Sequence, residues 1–166
     1  HITRAFRQDE RGVTAVEFVI ILPVMLVLFA AIVEGSRIYW NYQSAVTGVR
    51  DAARFLARTT NVDICGGTAN TTAVALTGGA TTATNIIADT MRNEQGLFPS
   101  GVTVTAVSAT YTCPDYNLRT DPTPVARVQA TVNVQMPFGT LFEFFKARNT
   151  TVMTSVITDQ SRIYGL

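Results

Sequence analysis

From Phe18 to Val33 the chain runs FVIILPVMLVLFAAIV, sixteen apolar residues without a break. Counted from Val13, the stretch covers twenty-one positions interrupted only by Thr14 and Glu17. A helix needs roughly 20 residues to cross the hydrocarbon core of a bilayer. No side of this run is polar, so it does not read as the half-buried helix of a water-soluble fold. We therefore expect a membrane span over 13–33. Before it lie Arg4, Arg7 and Arg11, with Asp9 and Glu10. Orientation follows Lys and Arg and largely ignores acids. On that rule residues 1–12 stay cytoplasmic and everything after Val33 is exported. The chain begins at His1 rather than Met, which leaves a start further upstream open.

The apolar run does not end in a turn. Ile38, Tyr42, Ala45, Val46, Val49, Ala52, Ala53 and Leu56 recur at steps of three and four, the spacing of one helix face. Arg37, Asn41, Ser44, Asp51, Arg54 and Arg58 fall mostly on the other side. The pattern predicts one long helix from about Thr14 to Arg58, lipid-embedded first and amphipathic over 34–58. Gly35 and Gly48 are places for a bend or a close approach. Tyr39, Trp40 and Tyr42 stand where an interfacial aromatic belt is expected.

The rest, 59–166, reads as an exported α+β domain. Residues 59–82 are rich in Thr, Gly, Asn and Ala and read as a loop. Thr81 to Gln95 reads as a short helix with Ile86, Ile87 and Met91 on its apolar side. VTVTAVSATYTC (102–113) is a strand, with Val102, Val104 and Ala106 on one face and Val107 on the other. In 125–136, Val128, Ala130, Val132, Val134 and Met136 point one way, and 150–158 is a third β-branched run. The expectation is an antiparallel sheet of three to four strands with one face on the amphipathic helix. PFGTLFEFFKA (137–147) carries Phe138, Phe142, Phe144 and Phe145. It reads either as a loop folded onto the domain or as an exposed contact for a partner subunit or the membrane surface.

Chemistry is sparse. Formal charge is +1, and no basic stripe suggests a nucleic-acid partner. The one histidine is His1, and no nucleophile elbow, zinc-protease motif or phosphate loop is present. Asp63, Asp89, Asp115 and Asp121 are scattered. We expect no enzyme, metal, cofactor or small-molecule substrate. Cys65 and Cys113 lack CxxC spacing. Outside the cytoplasm they can form a disulfide; otherwise they are small buried apolar residues.

One motif remains. RGVTAVEF (11–18), leading into the apolar helix, resembles the processing site of type IV pilin-like proteins, closest to the Tad/Flp branch. YQSAVTGVRDAARFLA (42–57) is similar to the segment after the membrane helix in TadE-like proteins. The resemblance implies cleavage by a membrane prepilin peptidase between Gly12 and Val13. It also implies that Glu17 pairs with the new α-amino group of Val13 on a neighbouring subunit. A carboxylate inside a membrane helix costs about 2.5–3.5 kcal/mol and marks function by default. Pro23 would kink the packed helix. Loss of 1–12 removes three Arg and two acids and takes side-chain charge from +1 to 0. The major pilin of that branch is little more than its helix, whereas this chain adds over a hundred residues. The departure points to a minor pilin or pseudopilin of the TadE or TadF kind, with TadE favoured. Implied partners are the peptidase, other pilin subunits, the inner-membrane assembly platform and lipid. Its place would be the inner membrane, then an adhesive pilus. The competing readings are release by signal peptidase near Ala30 and Ala31, and an uncut anchor with a binding or adaptor role.

Overall fold

The computed structural model describes residues 11–94, 101–117, 122–136 and 152–165. The chain divides into two compact units, His1–Ser36 and Arg37–Leu166. A single helix, α1 (Arg11–Thr59), contributes to both.

In the first unit α1 is apolar on every side. Its most apolar 18-residue window has a mean hydropathy of 2.9, and none of that window is buried. Val16, Phe18, Val19, Ile20, Val24, Leu28, Phe29 and Ile32 are all exposed. A helix satisfies its own backbone hydrogen bonds, so lipid is the solvent that suits such a surface. By length and composition this is a candidate single-pass membrane anchor.

In the second unit α1 acquires a buried side. Ala45, Val49, Ala52, Ala53, Leu56 and Ala57 join one core with the sheet. The buried face is rotated from the one hydropathy suggests. Asn41 and Ser44, expected on the polar side, are buried, and Tyr42, expected in the core, is exposed. Size explains the rotation. Ser44, Ala45, Gly48 and Ala52 make a shallow face that a neighbouring element can approach closely. That neighbour is α2 (Gly79–Glu94), whose apolar side is Ala83, Ile87 and Met91. A Cβ built on Gly48 would stand 3.1 Å from the Ile87 Cα.

Four strands form one antiparallel sheet in the order β1–β2–β3–β4: Asn70–Ala75, Val102–Cys113, Val125–Gln135 and Val152–Arg162. β1 lies in the segment read as loop, and α2 follows it before the chain re-enters the sheet. Asn70, Val74 and Ala75 pair with Cys113, Tyr111 and Thr110. Its sequence, NTTAVA, lacks alternation because it is an exposed edge, where β-branched threonines suffice.

Two further corrections concern strand phase. The β2–β3 register shifts between Val104 and Ala106. This bulge turns Ala106 out to solvent and brings Val107 round to pack against the core, as Val102 and Val104 do. β4 runs on to Arg162, past the polar TDQS, because β3 pairs with it in unbroken register from Gln135↔Val152 to Val125↔Arg162. The inward face of β3 is as its alternation predicts. Ala126, Val128, Ala130, Val132 and Val134 are buried, while Met136, just past the strand, is half-buried.

The end of α1 is held by the other end of the domain. The Tyr164 N–H donates to the Ala57 carbonyl at 3.0 Å, and the Val62 N–H donates to the Gly165 carbonyl at 3.2 Å. These bonds occupy one of the last-turn carbonyls that a helix leaves without partners. A 3-10 turn, Val62–Cys65, follows. The Asn61 side chain accepts from the Asp63 N–H at its start, and Gly66, at φ 53°, closes it in a left-handed conformation.

The close approach at Gly48 generates a prediction. Gly48→Leu should lower stability by about 1–3 kcal/mol through overpacking. Gly35, whose Cβ position meets nothing within 4 Å, should accept Ala without loss. Thermal unfolding of the two variants in detergent checks the contrast.

Candidate functional site

The residues singled out by the sequence lie in three places. Gly12, Val13, Glu17 and Pro23 are all exposed on the first part of α1. Gly12 and Val13 fall within the helix's first turn, because α1 begins at Arg11. Gly has low helix propensity, so α1 is locally weakened at position 12. Glu17 follows Val13 by four residues, which puts the two on one face a single turn apart. A new amine at Val13 and the Glu17 carboxylate would thus lie on the same side of the helix, about 6 Å apart along its axis. Pro23 lies inside the helix. It has no N–H to offer the Val19 carbonyl four residues back, so that oxygen is open to a donor from elsewhere. Residues 1–10 of the expected leader, 1–12, lie outside the described residues.

Cys65 and Cys113 are joined, with an S–S distance of 2.06 Å and 5.9 Å between Cα atoms. The bond ties the turn after α1 to the last residue of β2, so it fastens helix, edge strand and central sheet at one point. Phe138, Phe142, Phe144 and Phe145 lie outside the described residues.

Two hollows open on the second unit. The larger, about 500 Å³, is lined by Phe55, Leu56, Thr59, Ile64, Leu76 and Thr82 among others. None of its lining residues is titratable. It offers apolar contact and hydroxyls but no acid, base or activated nucleophile. The smaller, about 240 Å³, lies beside the disulfide and brings Asp63 and Arg162 to its wall. Among the described residues no three of His, Cys, Asp and Glu converge as metal ligands.

Several features went unread in the sequence. Glu34, the first residue after the apolar run, is buried. Arg50, Arg54 and Arg58 form an exposed row along α1, a short basic stripe where none was expected. Their four-residue spacing was the available signal. Arg58 differs from the other two. Its Nε donates to the Tyr164 hydroxyl at 3.0 Å, and this bond raises the guanidinium pKa above its ordinary value.

The disulfide leads to a measurement. It closes a loop with a sequence separation of 48 residues. Replacing both cysteines with serine should cost about 4 kcal/mol in the chain-entropy model. Unfolding with and without reductant checks this, and the intact mass without reductant should lack two hydrogen atoms relative to the dithiol.

Comparison with known proteins places the helix. The model of the TadE-like protein family matches residues 12–54. No curated protein and no solved structure matches the chain. The match starts at Gly12, takes in Glu17 and Pro23, and ends four residues before Arg58, with the sheet outside it. Along residues 12–54 of the long helix that bears its candidate processing and assembly residues, this chain is similar to the TadE-like protein family.

Proposed function

We propose that the protein is a minor pilin or pseudopilin of a Tad pilus. The observation that carries this reading is the TadE-like match over 12–54, on a helix whose apolar window has no buried residue. The match supports a Tad pilus-associated role in general. The finer assignment is that a prepilin peptidase cuts after Gly12 and leaves Val13 as the N-terminus. The new amine then meets Glu17 of an adjacent subunit within an apolar bundle. Each charge offsets the desolvation of the other, and loss of one partner from a buried pair typically costs about 3–5 kcal/mol. Loss of the leader removes Arg4, Arg7 and Arg11, the charges that hold the N-terminus in the cytoplasm. The helix can then leave the bilayer for a fibre.

The folded domain argues for a subunit that initiates, primes or caps rather than one that builds the shaft. Its partners would be other pilin subunits and the membrane assembly platform. This work needs no catalysis, metal or cofactor. The alternative is an uncut single-pass anchor presenting the domain as an adaptor. Release near Ala30 and Ala31 is disfavoured, since α1 runs through both without interruption.

The test is N-terminal sequencing of protein recovered from membranes with and without a cognate prepilin peptidase. A peptidase-dependent start at Val13 is expected. An intact leader in both conditions would leave the plain anchor, and a start after Ala31 would mean a released domain. Gly12→Leu should block the cut. Glu17→Ala should be processed normally yet fail to support piliation; wild-type piliation would refute the charge pairing.

A further inference from the structure

We propose that Tyr39, Trp40 and Tyr42 form a collar that docks the folded unit onto the membrane–water interface, with a phospholipid surface as its partner. The three occupy four consecutive positions of α1 and are 66%, 55% and 38% exposed. At 3.6 residues per turn they cover about 160° of the helix circumference. Asn41, the residue between them, points the opposite way and is buried. The core therefore takes one side of the helix at this level, and the rings take the other.

Their chemistry selects the partner. Tyr and Trp combine an apolar ring with a polar tip, and they concentrate where one end is apolar and the other wet. Only six positions separate Tyr39 from Val33, the last residue of the apolar run. Beyond the collar the exposed side of α1 changes to Gln43, Arg50 and Arg54. The continuous apolar surface thus stops at the aromatic residues, and Phe55 is the one large apolar residue exposed further along α1. A lipid interface fits such a narrow band, whereas a protein partner lying along the helix would need a longer apolar stripe. The inference requires a membrane anchor but not a pilus, so it stands or falls separately from the processing of Gly12.

Trp40 is the chain's single tryptophan, so its fluorescence reports this position alone. The full chain would be reconstituted in phosphatidylcholine–phosphatidylglycerol vesicles brominated either near the headgroup or near the acyl-chain end. Shallow bromine should quench Trp40 several-fold more strongly than deep bromine. A second variant, W40F/F55W, moves the probe to another exposed position fifteen residues on, about 22 Å further along the helix. That probe should escape quenching in both vesicles. Absence of quenching at Trp40, or stronger quenching by deep bromine, would overturn the collar. Equal quenching at position 55 would also overturn it, since the whole helix would then lie on the bilayer.

Discussion

A helix that is apolar all the way round must find an apolar solvent, and α1 changes its solvent partway along. Along its apolar window no side chain is buried by the described chain. In the second unit the same helix gives one side to a core shared with β2, β3, β4 and α2. The switch is made in sequence by exchanging Val, Ile, Leu and Phe for Ala, Gly and Ser on the buried side. Large apolar residues suit disordered lipid tails, whereas small ones allow rigid elements to come within contact distance. The helix is thus membrane-compatible below and tightly packed above, without an intervening turn.

Much of this was legible. The apolar run, the continuation of the helix, β2, the inward face of β3 and the short helix all follow from periodicities of two and 3.6. What was not legible depended on pairing and size. β1 has no alternation because its exposed edge needs none, and only β2 makes it a strand. The bulge at Val104/Ala106 reverses which of Ala106 and Val107 faces inward, and no single-strand pattern encodes it. The rotation that buries Asn41 and Ser44 follows from the fit at Gly48, which hydropathy does not measure. At the candidate site, the order Gly12, Glu17, Pro23 was readable as a motif. The row of Arg50, Arg54 and Arg58 rests on four-residue spacing along the polar side, which hydropathy periodicity alone does not distinguish from a mixed polar face.

The first turn of α1 and its last turn are opposite cases. At Arg11–Thr14 the glycine at position 12 loosens the helix backbone, which suits the processing proposed there. At Ala57–Thr59 the helix end is met by Tyr164, Gly165 and the turn that leads to the disulfide. One end is kept weak and the other is fastened.

The fastening has a mechanical meaning. Tyr164 and Gly165 follow directly on β4, and they grip the helix end through the Ala57 carbonyl, the Val62 N–H and the Arg58 side chain. A pull along α1 is therefore delivered to β4 and shared across its eleven paired positions with β3. The covalent bridge at Cys65 and Cys113 offers a second route for the same load into β2. A subunit hauled by its helix would load the edge strand β4 along its whole paired length and, through the bridge, the interior strand β2.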